Sequence, residues 1–181
     1  MKATGIVRRI DDLGRVVIPK EIRRTLRIHE GDPLEIYTDR DGEVIFKKYS
    51  PMAQLNSFAS DYAEALNKAA GVIAVICDRD SVIAVSGIPK KEMAEQKITS
   101  ELEGLTEKRK PFAFNGESAK LYVCPDNKYY IVCSCPIISL GDIAGCVCIV
   151  AKDTDHAPAC TDLELKLASA AAHFLAKQLN T

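Results

Sequence analysis

Guanidinium groups concentrate at the start of this chain. Arg8, Arg9, Arg15, Arg23, Arg24 and Arg27, with Lys2 and Lys20, fall within the first 27 residues, against only Asp11, Asp12 and Glu21. Eight bases against three acids leave that segment at +5; the whole chain is −1, so the remainder carries −6. Guanidinium groups bind phosphate bidentately and can read guanine edges from the major groove. The chemistry on offer is anion binding, with nucleic acid first in line. The same stretch holds Ile6, Val7, Ile10, Val16, Val17, Ile18, Ile22, Leu26 and Ile28. A solvated tail would not carry so many β-branched residues, and a plain core segment would not carry so many arginines.

The second set of reactive side chains is the seven cysteines. The odd count, in a chain large enough to build a core, reads as reduced thiols and not a disulfide frame. Cys133-Ser134-Cys135 and Cys146-Val147-Cys148 invite a zinc reading. Two residues along a strand span roughly 6.6 Å, which does not readily bring both sulfurs onto one tetrahedral ion. His156, Cys160 and His173 are not at finger spacing either, so core packing is the expected role of the thiols, with no metal and no cofactor. No Ser/His/Asp set, paired catalytic carboxylates or phosphate loop stands out, so no catalytic residue is assigned and an enzyme is not expected. The competing enzymatic reading is a thiol reductase, which would need a reactive cysteine of low pKa. Phe112, Phe114, Tyr122 and Tyr130 are candidates to line a small-molecule pocket for an unnamed effector; core packing is the competing role. No apolar stretch of secretory length follows the early charges, and Ile143 to Ala151, interrupted by Gly145, is too short to span a bilayer. A cytoplasmic protein without membrane contact is expected.

These side chains need elements to place them. Thr4 to Ile10 and Arg15 to Ile18 read as strands around the turn Asp11-Asp12-Leu13-Gly14. Alternation does not decide their faces, since Arg8 shares parity with Ile6 and Ile10 while Arg9 shares it with Val7. Pro19 suits the first helical position, and Lys20 to Arg27 makes a short helix. Leu34 to Tyr37 and Glu43 to Phe46 form a hairpin around Asp39-Arg40-Asp41-Gly42. Such a unit buries too little to hold as a monomer, which predicts an intertwined dimer through residues 1–50. Ser50-Pro51 opens a helix in which Met52, Leu55, Ala59, Tyr62, Leu66 and Ala69 recur in steps of three and four. That stripe predicts a coiled-coil-like seam between chains over residues 51–71, against the alternative of a helix packed on its own domain. Strands are then expected at 72–77, 81–86, 121–124, 128–138 and 142–152, with helices at 88–93 and 98–105. A last helix opens on the capping box Thr161/Glu164 and ends near Leu179. Five antiparallel strands with helices at both ends make residues 72–181 an α+β domain.

The run Gly14-Arg15-Val16-Val17-Ile18-Pro19, then Ile22-Arg23, Leu26, Ile28 and Gly31-Asp32-Pro33-Leu34-Glu35-Ile36, closely resembles the AbrB-type swapped-hairpin DNA-binding family. The resemblance covers about the first fifty residues. It implies two chains interleaving their hairpins into one β-structure with short helices and a single DNA-facing surface. By position, Arg8, Arg15, Arg23 and Arg24 correspond to the DNA-contacting arginines. Lys2, Arg9 and Lys20 are added from charge and neighbourhood. The second half resembles a small GAF-type sensory domain, through its strand order, the Asp78-to-Gly87 hairpin and the terminal helix. Together these imply an α+β transcription regulator that binds double-stranded DNA as a dimer, with a tetramer expected through residues 51–70 and the C-terminal domain. The alternative from another class is an antitoxin-like module that neutralises a protein partner.

Overall fold

The computed structural model describes residues 5–49, 52, 55–154 and 157–179. The chain divides into two compact units, residues 1–49 and 50–181.

In the first unit, the turn within residues 5–18 is closed by two backbone hydrogen bonds: the Asp11 N–H donates to the Arg15 carbonyl and the Gly14 N–H to the Asp11 carbonyl, each at 3.0 Å. The strands expected at 4–10 and 15–18 do not form among the described residues. A strand is a property of a pair, and no such pairing forms for these arms among the described residues. Pro19 precedes helix α1 (Lys20–Thr25), one position earlier than expected. Arg27 ends the turn in the left-handed region, φ 51°, where Ile28 N–H reaches back to the Arg23 carbonyl at 2.8 Å. Strands β1 (Leu34–Thr38) and β2 (Val44–Lys48) pair antiparallel in the expected hairpin. Its turn is held by the Asp39 carboxylate, which accepts the N–H groups of Asp41 and Glu43. Among the described residues of this unit only Pro19 is buried. Val7 is 84% exposed, Val17 70%, Ile10 69% and Leu13 69%.

The second unit is a five-stranded antiparallel sheet in the order β4-β3-β7-β6-β5. Its strands are β3 (Ile73–Asp78), β4 (Val82–Ser86), β5 (Phe112–Ala113), β6 (Tyr129–Ser139) and β7 (Asp142–Lys152). Helices α2 (Asn56–Ala70) and α4 (Asp162–Gln178) cover one face. Helix α3 (Ser100–Glu107) and the loops around Met93 and Val123 cover the other. With both faces covered, the central strands are near-continuous apolar runs: Ala74 and Ile76 pack toward α2 and α4, Val75 and Cys77 the opposite way. The capping box forms as expected, with Thr161 Oγ1 accepting the Glu164 N–H and the Glu164 carboxylate accepting the Thr161 N–H.

Two expectations need correction. The strand expected at 121–124 is not a strand; only Tyr122 bridges, to Tyr130. Two of its carbonyls are taken by Thr99, the N-cap of α3: Val123 accepts the Thr99 N–H at 2.8 Å and Tyr122 accepts the Thr99 hydroxyl at 2.7 Å. The fifth strand is instead the two-residue β5, paired with Cys133 and Ser134. Second, the stripe expected to join two chains is spent inside its own domain. Met52, Leu55, Ala59 and Leu66 are buried in the core cluster beneath α2, with β3, β4 and α4, while Ala69 is exposed. Ser50 and Pro51, expected to start this helix, lie outside the described residues.

Candidate nucleic-acid interface

The expected phosphate-binding residues sit on the first unit. Arg8, Arg9, Arg15, Lys20 and Arg24 are exposed, and Arg23 is half-buried. Lys2 lies outside the described residues. Arg23 and Arg24 occupy the last turn of α1, where the helix dipole favours cations. Arg15 closes the turn, which an Asx turn built by Asp11 holds. Asp11 Oδ1 accepts the N–H groups of Leu13 and Arg15 at 3.0 and 2.7 Å, and Oδ2 accepts Arg15 Nε at 2.9 Å. The Arg15 N–H first, and then its guanidinium, hold the Asp11 carboxyl below the usual carboxylate range.

A second carboxylate locks the unit from behind. The Asp32 side chain is only 2% exposed, 3.6 Å from the His29 ring and 3.7 Å from Lys48 Nζ. It accepts the His29 N–H at 2.8 Å, and Lys48 Nζ also donates to the Arg27 carbonyl at 2.8 Å. Asp32 therefore ties the end of α1 to β2. The sequence shows Asp11 as a turn residue and countercharge and gives Asp32 no role of its own. The Asx-turn propensity of Asp11 was the one available signal.

In the second unit, the four pocket aromatics differ in burial and contacts. Phe114 and Tyr130 are buried together, rings edge-on at 5.2 Å, on the α2/α4 face, and the Tyr130 hydroxyl donates to the Pro158 carbonyl at 3.1 Å. Phe112 is half-buried on β5. A bulge between Ile131 and Cys133 shifts the parity of β6, so that Cys133 and Cys135 face the same side as Tyr130. Tyr122 lines a cavity of about 350 Å³, with Thr99, Glu101, Lys120, Cys124 and Asn127 among its walls. Beside it the Tyr122 hydroxyl donates to Asp153 Oδ2 at 2.6 Å, and Lys120 pairs with the other carboxylate oxygen. Lys120 first, and then Tyr122, hold the Asp153 carboxyl down.

The same bulge separates the two Cys-x-Cys pairs. Cys133 and Cys135 face α2 and α4; Cys146 and Cys148, their sulfurs 3.8 Å apart, face α3. They cannot share an ion. Burial raises the Cys124 and Cys135 thiols to about 11, and thiol neighbours with burial push Cys77 well up. Cys146 is instead pushed well down by hydrogen bonds from Cys148 and then Cys77, but it is buried in the core facing α3; the other three are packed thiols. No helix among the described residues is long and apolar enough to cross a membrane.

Comparison with known proteins places these units. The family model described as "Stage V sporulation protein T C-terminal, transcription factor" matches residues 54–180. The model "Antidote-toxin recognition MazE, bacterial antitoxin" matches residues 7–54. Stage V sporulation protein T of Bacillus subtilis is 51% identical over 180 residues, 99% of each chain. The transition state regulatory protein AbrB of the same organism is 67% identical over 51 residues, 28% of this chain and 52% of the relative. The GAF domain of an Acinetobacter phosphoenolpyruvate-protein phosphotransferase superposes with a TM-score of 0.52 at 8% identity, covering 70% of this chain and 82% of that one. That last likeness shows the fold of the second unit alone.

Proposed function

The chain belongs to the stage V sporulation protein T family of transcription factors, and from that premise we propose that it reads double-stranded DNA sequence-selectively through an arginine surface assembled by two chains, at late sporulation genes. It is a DNA-binding transcription regulator carrying an AbrB-type DNA-binding domain and a GAF-like domain. The observation that carries the finer reading is the state of residues 5–18. Their arms expose apolar side chains, Val7, Ile10, Leu13 and Val17 most of all, and form no strand among the described residues, while Arg8, Arg15 and Arg24 stand exposed on the same unit. A twin chain supplies the missing strand partners and doubles the guanidinium groups. Arg8, Arg15, Arg23 and Arg24 carry the contacts; Arg9 and Lys20 add charge, as does Lys2. A helix of six residues is too short for a helix-turn-helix reader, so the face is composite.

Residues 50–181 take the sensory part. Phe58 is 47% exposed, and Phe174, 38% exposed, stacks on Tyr62 at 5.0 Å across α2 and α4. This aromatic face, and not the buried stripe of α2, is where two dimers join as a tetramer. The cavity beside Tyr122 takes an effector, which must favour one arrangement of the assembly to regulate anything. The protein works in the cytoplasm, without enzymatic activity.

The test is selection of DNA fragments by full-length protein from a random pool at two salt concentrations. Enrichment of a common sequence that survives the higher salt is expected, because non-specific contacts weaken steeply with salt. The antitoxin model over residues 7–54 favours a second reading, capture of a protein partner by the same unit. Fragments recovered without any common sequence, and lost at the higher salt, would favour that reading.

A further inference from the structure

We infer that Asp11 is a positioning residue for Arg15: its carboxylate grips the guanidinium at Nε, so that the terminal nitrogens are presented together to a guanine edge or a phosphate. The inference rests on the reading of Arg15 as a DNA contact.

The two oxygens of Asp11 divide the work. Oδ1 organises the turn by accepting the N–H groups of Leu13 and Arg15, and Oδ2 takes Arg15 Nε at 2.9 Å. Among the described residues the terminal nitrogens of Arg15 have no hydrogen-bond partner, and its side chain is 68% exposed. An ion pair this exposed contributes little to stability, so it does not account for an acid in a basic surface. A negative charge there also weakens long-range attraction of DNA. What the contact supplies is pre-organisation. A guanidinium already fixed at Nε loses less rotamer freedom when its planar fork meets a base edge. Arg15 approached through its terminal nitrogens keeps that grip in the complex. Asp11 thus gives up some general affinity for DNA and gains selectivity.

Asn at position 11 separates the roles. Asp11→Asn keeps an oxygen for the turn but puts an amide N–H where Oδ2 accepted Nε. The experiment uses full-length protein, with D11N, R15A, R15K and D11N/R15A. Each is titrated against the fragment enriched by selection and against an unrelated fragment of equal length, at two salt concentrations. D11N is expected to keep the parent's melting temperature and oligomeric state. It should bind the selected fragment about tenfold more weakly, the scale of one charged hydrogen bond, and the unrelated fragment no more weakly. R15K, which leaves the turn alone, should lose the same selectivity, and D11N should change nothing further in the R15A background. Equal losses on both fragments would mean a turn role only, and equal gains a charge role only; either overturns the inference. So does a D11N chain that fails to fold, because the retained turn contacts would then be insufficient. If R15A binds as the parent does, the reading of Arg15 falls with it. If R15A loses affinity while D11N is silent, the inference alone falls.

Discussion

Alanine at Arg8, Arg15, Arg23 and Arg24 together is expected to remove DNA binding from the full-length protein at physiological salt. Each position counts twice in a dimer, so four substitutions delete eight guanidinium groups from one surface. A base-reading arginine is worth roughly 1–3 kcal/mol of discrimination, about ten- to a hundredfold per site. A phosphate-binding one lowers the salt slope by about 0.9. Single variants should therefore fall into two classes. Those that read bases lose the selected fragment and keep the salt slope; those that hold phosphate weaken all fragments and flatten it. The fold should survive, because Arg8, Arg15 and Arg24 are exposed and truncating them opens no cavity. Arg23 is half-buried, so Arg23→Lys is the control that keeps its charge and stem. Titration by fluorescence anisotropy at two salt concentrations reads all of this, and a quadruple variant that binds like the parent contradicts the assignment.

Gly145→Ala is expected to be the most damaging single methyl in the second unit. Gly145 lies on β7 opposite Asp78 of β3 and Ile137 of β6, at the middle of the sheet. A Cβ there would fall 2.0 Å from the Cys77 carbonyl oxygen and 3.0 Å from the Asp78 Cα. Both are backbone atoms, so no rotamer change relieves the clash, and strands β3 and β7 must part. Overpacking a well-packed interior costs about 1–3 kcal/mol and occasionally more. Here the backbone itself must move, which puts the expected loss at about 4 kcal/mol, a large share of an ordinary domain's 5–15 kcal/mol. Urea unfolding of the full-length chain should show the midpoint falling accordingly. A variant with the parent's midpoint would mean the β3–β7 pairing is looser than the structure has it. Gly104, with open space around its Cβ position, is the matched control.

What could be read from the sequence was what neighbours in sequence decide. The Asp39 turn, the Thr161 capping box and the arrest of α2 at Gly71, φ 69°, are short-range hydrogen bonding and backbone preference. What could not be read depended on partners distant along the chain. The stripe from Met52 to Leu66 has the same period whether it packs on another chain or on its own sheet, and the structure gives it to β3 and β4. Leu121 to Cys124 has strand composition, but the N-cap of α3 takes the Tyr122 and Val123 carbonyls. The Ile131/Cys133 bulge decides which cysteines share a face with Tyr130, and in a strand buried on both faces the shift of one residue leaves no visible break in the hydrophobic pattern. At the candidate interface the basic residues were visible as charge. Asp11 was not visible as Arg15's anchor, because its role depends on which oxygen meets which nitrogen.

All of the functional reading depends on the first unit needing a second copy. Sedimentation equilibrium of residues 1–50, followed together with circular dichroism across a dilution series, tests that most directly. A dimer whose secondary structure disappears as it dissociates is the expected result, since one copy alone buries only Pro19 among its described residues. A monomer that keeps its circular dichroism signal at the lowest concentration would contradict the account.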